Sequence, residues 1–500
     1  MRWQRRPPTA EAAAEKSGAE SLGTVPAQAA SMPRVAIIGG GVSGLACARR
    51  LGSLGVPATV FDTGKRGPGG RASSREWRGH LVDHASQFVA ATDPQFSAAL
   101  AELGAARRWG SNGRLGTMKK SGFVPSSDEV ERWVGKEGTG GIVRALAEGV
   151  DVRQDVWVPP SNGLQYNDDC SWSVAVPGDR GKRDYMRFDA VVVAHNGKCA
   201  ERLTSTTPAS EVHALLRTNF SASLPRNPAE GSGRFTLNQI YSLVFEVPVG
   251  VMPAQYDAVF IETEPYLRWL SSNTAKFRRG GQPEGLEAWT VLSSATFGKQ
   301  HKVPQEALEG TPKEEEVTRL LLGAVERAVS LAPGTLTGAT QVGKGAVTAA
   351  KLQLWGAALP ISRWASSDQS DFVWSAEHSI GIAGDWLTVS PAQASTIEGA
   401  WISGTRLAEH IAAQASRCQS RGLELGEEGG VFEPVAGDFG DAGPAQRMWV
   451  AKPLPGEGAK GGGRDWKGGG RGRGRGTSTG YGGDWKGKGA GRGKGRKASA

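Results

Sequence analysis

Glycines at positions 39, 41 and 44, in the run IIGGGVSGLACARR, have the spacing that lets a backbone wrap around a phosphate. They follow the strand-like RVAII and precede an alanine-rich helical stretch, so the run reads as strand, tight turn, helix. In that setting Gly39 makes the turn, Gly41 lets backbone approach a pyrophosphate, and Gly44 lets the helix pack closely on the strand. Val42 and Ser43 begin the helix, whose N-terminus offers free N–H groups and a positive dipole end to the anion. A second strand signal, ATVFD, ends in Asp62, 23 positions beyond Gly39, where a carboxylate can accept hydrogen bonds from ribose hydroxyls. A glycine turn of another α/β fold, with Asp62 at the surface, is the plainer alternative.

The loop KRGPGGRASS comes directly after Asp62. Gly70 gives it close backbone approach, and Arg71 can lie along a pyrophosphate and neutralise it, or stay an ordinary solvated cation. Far downstream, SIGIAGDW supplies a further strand, a glycine turn and Asp385, ahead of the helical STIEGAWISG. A turn or capping aspartate is the plainer reading of Asp385.

With these two motifs the chain resembles the FAD-dependent amine oxidase superfamily, and within it the renalase-like oxidases. The matching pieces are RGPGGRASSR, VDHASQFVAATDPQF, LRWLSSNTAKFRRG with EAWTVLSS behind it, and GIAGDWLTVSPAQASTIEGAWISGTRLAEHI, spanning about residues 33 to 412. The resemblance implies FAD as cofactor, with Asp385 on the ribityl hydroxyls and the backbone of Thr396 and Ile397 near flavin N1 and O2. A helix dipole there would stabilise the negative charge of a reduced flavin. Val158 is counted with the cofactor contacts. The implied reaction moves hydride from a reduced ring onto flavin N5 and electrons on to O2, giving hydrogen peroxide. Aberrantly reduced nicotinamide dinucleotides are the substrates the resemblance implies, and an ordinary amine is the alternative. The chain departs from the group where substrate would lie: the usual DHGAQYF carries Ala85, Ser86 and Phe88 here, and EAWTVLSS lacks a histidine often found there.

Hydride transfer depends on holding the donor carbon against its acceptor, so no catalytic triad or metal is called for, and none is read. His84, Gln87 and Phe88, with Trp269, Asn273 and Trp355, are the pocket candidates. Aromatic walls would form a flat slot, and the polar groups would orient substituents. Taken singly, each tryptophan could equally be core and the histidine a satisfied structural one.

These residues need an α/β scaffold, and the chain alternates β-branched runs such as AVVVAHN and YSLVFEVPV with helical stretches such as EEEVTRLLLGAVERAVS. The two cofactor motifs lie some 340 positions apart yet have to meet on one ligand. The expectation is an FAD-binding Rossmann-like domain assembled from residues 32–90, 135–200 and 346–415, with a β-sheet substrate domain from 91–134 and 201–345. Residues 1–31 read as a flexible extension and 416–500 as a linker and disordered basic tail.

The net charge of +9 is concentrated in that tail: the last 50 residues hold 13 Lys+Arg against 3 Asp+Glu, leaving 46 against 47 in the first 450. Its repeats, RDWKGGGRGRG and GDWKGKGAGRG, cannot bury a core. Trp466, Tyr481 and Trp485 among the cations resemble RGG-type segments, which follow a phosphate backbone and stack bases. RNA binding through residues 455–500, on a degenerate oxidase fold, is the function of a different class; a solubilising tail is the plain one. Four scattered cysteines, Cys47, Cys170, Cys199 and Cys418, make neither a CxxC nor a zinc pattern, as expected of a reduced compartment. Residues 1–31 lack the apolar stretch of a secretory signal, and Glu11, Glu15 and Glu20 argue against a transit peptide. A cytoplasmic location is expected, with organellar targeting left open.

Overall fold

A computed structural model describes residues 32–435, apart from 111, 127–129, 225–232, 278–280, 305–307, 339–344 and 417–429. The expectations for residues 1–31 and for the basic tail lie outside the described residues.

The first strand, Val35–Ile38, is wholly buried, and its neighbours explain why: it pairs in parallel with Ala58–Phe61 on one side and Ala190–Val193 on the other. Continuous β-branched runs suit strands covered on both faces. The sheet has six strands, ordered Asp151–Arg153, Ala58–Phe61, Val35–Ile38, Ala190–Val193, Ile380–Ile382, Val373–Ser375; the last runs antiparallel. The helices Val42–Ser53 and Ile397–Ser416 cross on it at very short range. A Cβ on Gly404 would stand 2.0 Å from the Ser43 carbonyl oxygen, and one on Gly44 would stand 2.0 Å from that of Gly39. Both glycines are therefore demanded by packing. This is the Rossmann arrangement of an α/β dinucleotide-binding domain.

A second, seven-stranded sheet is ordered Ala349–Trp355, Ile240–Pro248, Leu286–Ser293, Leu267–Ser272, Ala258–Ile261, Leu115–Lys119, Gly122–Pro125. Against it packs the helix Pro312–Ala328, started by Thr311, whose hydroxyl accepts from Glu314 N, with proline in the first turn. Val317, Leu321, Leu322 and Val325 recur at helical spacing and are fully buried there, each worth roughly 1.5–3 kcal/mol of transfer free energy. Among the described residues no helix is long and apolar enough to cross a membrane.

Several placements differ from expectation. Phe96, Leu100 and Trp133, from the 91–134 segment expected in the substrate domain, and Val212, Leu216 and Phe235, from 201–345, are buried in the cores that cover the six-stranded sheet. Ala349–Trp355, assigned with 346–415 to the cofactor unit, is the edge strand of the second sheet, in register from Glu246↔Ala349 to Ile240↔Trp355. Periodicity identifies a strand but not its partner. Within 416–500, expected to be linker and tail, Gly430–Pro434 forms a strand against Ser362–Ser366. Its anchor is Phe432, packed among Trp364, Trp386 and Phe235.

Candidate functional site

The carboxyl ends of the parallel strands open into a cavity of about 400 Å³. Its walls include Gly39–Ser43 with Asp62, the loop Gly69–Ala72, and, from far downstream, Gly384–Asp385 with Ser395–Ile397. A crevice at that end of such a sheet is where a dinucleotide is bound.

Gly39 has φ +117°, and a Cβ there would press on Ala194. Gly41 is different: a Cβ would meet nothing within 4 Å, because the residue faces the open cavity. The fold itself does not require glycine at 41, and the backbone there is open to the cavity. Asp62 braces the loop, its two carboxylate oxygens accepting from Gly40 N at 2.8 Å and Gly64 N at 2.7 Å. Val158 lines the same cavity.

Arg71 and Asp385 are brought together. The guanidinium donates to the two carboxylate oxygens at 2.8 and 2.9 Å, and to the Ala358 carbonyl at 2.9 Å. Asp385 is nearly enclosed, so the pair is a charge-assisted fork inside the cavity wall. Thr396 caps the helix Ile397–Ser416: its hydroxyl accepts from Gly399 N at 2.8 Å and donates to the Gln393 carbonyl. The positive helix end is thus held at the cavity.

A smaller compartment of about 70 Å³ continues from the first, sharing Arg71, Trp355 and Thr396 with it. Phe88 and Trp355 line it as expected. His84 lies behind Trp355: the rings stack at 5.6 Å and 29°, and the indole N–H donates to the His84 carbonyl at 3.1 Å. Burial, helped by the Arg75 charge, pulls the His84 imidazole down to about 3, so it is a neutral support. Gln87 reaches the wall, but its side-chain N–H groups donate to the Asp83 and Ala85 carbonyls, each at 2.9 Å.

Trp269 and Asn273 are corrections. Trp269 is fully buried among Phe88, Phe260 and Trp109, a core position. Asn273 is equally buried, its oxygen accepting from Asp83 N and its amide donating to Thr290 Oγ1. Side chains of alternate residues in a strand face opposite ways, and the face turned to the pocket could not be read from LRWLSSN.

Sequence reasoning missed Asp83, Lys276 and His195. Lys276 is fully buried and paired with Asp83 at 3.2 Å; desolvation lowers its pKa, opposed by the Asp83 charge. His195 lines the large cavity with its Nδ1 3.0 Å from the Ile38 carbonyl, and desolvation lowers its pKa too. A signal for His195 existed, since AVVVAHN ends a parallel strand at the ligand side of the sheet.

Residues 37–103 match the family model of the NAD(P)-binding Rossmann-like domain. The structure is similar to cyclohexylamine oxidase from Brevibacterium oxydans IH-35A, with a TM-score of 0.52 at 12% identity, over 77% of this chain and 100% of that one. It is also similar to a protein of Exiguobacterium sp. 255-15 provisionally named a protoporphyrinogen oxidase, with a TM-score of 0.51 at 10% identity, over 77% and 99% of the two chains. The chain therefore has the fold of these oxidases.

Proposed function

We propose that the protein is an FAD-dependent oxidase acting on a small or dinucleotide-type reduced ring, in the manner of the renalase-like enzymes. The observation that carries the FAD part is the empty space in front of Gly41, between a capped helix end and the Arg71–Asp385 fork. Glycine 41, Ser43, Asp62, Arg71, Asp385 and the Thr396–Ile397 turn would hold the cofactor. When bound, the flavin supplies a two-electron acceptor whose reoxidation by O2 gives hydrogen peroxide.

The chain's own residues then bind and orient. Phe88 and Trp355 offer apolar faces to a flat ring, with neutral His84 stiffening Trp355 from behind. Among the described residues lining the small compartment there is no Asp or Glu, while Arg71 is a cation. With the Arg71 charge already matched by Asp385, the compartment offers an ammonium no free carboxylate and offers a flat ring apolar faces, which favours the reduced ring over an ordinary amine.

The test is to purify the full chain, quantify released FAD, and follow anaerobic bleaching of the flavin with dihydronicotinamide isomers and with primary amines, then peroxide on admitting air. Bleaching by the dihydropyridines alone supports the reading. Bleaching by amines alone replaces it with an amine oxidase, and a colourless protein that binds RNA removes it.

A further inference from the structure

Asp83, Gln87 and Lys276 form a buried junction behind the small compartment. Lys276 lies on the short helix Asn273–Phe277 that leaves the seven-stranded sheet, with its ammonium fully enclosed. An ammonium has three donors. They meet Asp83 Oδ2 at 3.2 Å, the Gln87 carbonyl at 3.0 Å and Gln87 Oε1 at 3.2 Å. The other oxygen of Asp83 accepts from Ser74 Oγ and from the N and Oγ1 of Thr139. Ser74 follows the Arg71 loop and Thr139 opens the helix Thr139–Ala147, so the ion pair joins the cofactor-side elements to the second sheet.

A joint between two sheets needs no charge; apolar side chains of similar volume serve at least as well, and burying an ammonium is costly unless every donor is met. What the ammonium adds is direction. Two of its three bonds go to a single residue, Gln87, whose oxygen also accepts from Ser271 Oγ at 2.9 Å and whose N–H groups close back onto Asp83 and Ala85. The amide is therefore saturated and unavailable to a substrate. The backbone it fixes carries Ser86 and Phe88, which line the small compartment together with Thr396 and Ile397.

We propose that Lys276 is a positioning residue for the reaction, fixing the Ser86–Phe88 wall against which a flat substrate is presented. The proposal rests on the flavin-oxidase reading above and adds to it a residue that touches neither substrate nor cofactor.

The test uses the full-length, flavin-loaded protein and dihydronicotinamide isomers reduced at a ring position other than carbon 4. Lys276→Met is the first variant. Lys276→Met with Asp83→Asn is the second, because it removes both charges together and avoids leaving a buried carboxylate unpaired. Flavin content, flavin spectrum, melting temperature and the limiting rate of anaerobic flavin reduction are read for each. The expected result is a double variant that keeps its flavin and its spectrum, with the limiting rate at least tenfold down. A purely structural joint would lower the melting temperature and leave that rate alone. A folded, flavin-loaded double variant whose limiting rate falls less than tenfold overturns the positioning role and leaves the oxidase reading intact. A wild-type protein that none of these probes reduces overturns the oxidase reading, and the proposal with it.

Discussion

Arg71 grips Asp385 across 314 positions of sequence, through two parallel N–H···O bonds of 2.8 and 2.9 Å. The contact ties the loop after Asp62 to the turn before the helix Ile397–Ser416, and so closes the cavity from segments at opposite ends of the described chain.

Asp385→Ala leaves Arg71 without its partner in a mostly enclosed place, whereas Asp62→Ala frees two N–H groups at a cavity edge that water can reach. Flavin affinity should fall further in the Asp385 variant, by about 1–3 kcal/mol relative to wild type. Titration of apoprotein with FAD, followed by flavin fluorescence, checks the order; equal affinities in the two variants would contradict it.

Gly41→Val and Gly44→Ala should fail differently. Valine at 41 projects into open space, so the variant should purify without flavin yet melt like flavin-free wild type. Alanine at 44 would place its Cβ 2.0 Å from a carbonyl oxygen, which forces helix and strand apart and costs about 1–3 kcal/mol or more of stability. Thermal melting and the flavin absorbance of the two purified proteins distinguish the cases.

Trp269→Ala should cost about 3–5 kcal/mol of stability as a core cavity. Trp355→Ala, at a half-buried cavity wall, should cost far less stability while raising the substrate concentration needed for half-maximal flavin reduction. Denaturant midpoints and steady-state kinetics on the two variants test the contrast, and a Trp355 variant with unchanged kinetics would remove that residue from the pocket.

His84 gives the protein a pH response with a defined sign. Its folded-state pKa is lowered from 6.5 to about 3, so below about 6.5 the unfolded chain binds a proton that the folded one refuses. Stability should therefore fall as the pH drops from about 6.5 toward 3, at up to roughly 1.4 kcal/mol per pH unit from this residue. In His84→Gln the loss over that window should be shallower by this amount; parallel curves from urea midpoints at pH 7, 6, 5 and 4 would count against it.

Residues 455–500 carry the DWK repeats and most of the net positive charge. A chain ending at residue 450 should keep the flavin spectrum and turnover of the full-length protein while losing RNA affinity. The full-length affinity itself should fall steeply with salt, because neutralised phosphates release counterions. Salt-insensitive or absent RNA binding by the full-length protein would leave the segment without that role.

The large cavity at the strand ends was legible in the letters because the motifs that build it are local. GGGVSG, ATVFD and SIGIAGDW each combine a strand, a turn and a polar residue within one short stretch, and backbone sterics tie those residue types to those conformations. The sequence by itself thus determined a Rossmann α/β unit with a phosphate loop, an acid at the second strand end, and a downstream motif that had to return to it. The pocket was decided by tertiary packing. Whether Phe88 or Trp269 faces the cavity, whether Gln87 is free or saturated, and which sheet takes Ala349–Trp355 depend on contacts between residues more than a hundred positions apart. Lys276 shows this most plainly: nothing in NTAKF marks it as buried, and only the fold puts Asp83, from 193 positions away, beside it and excludes water from both.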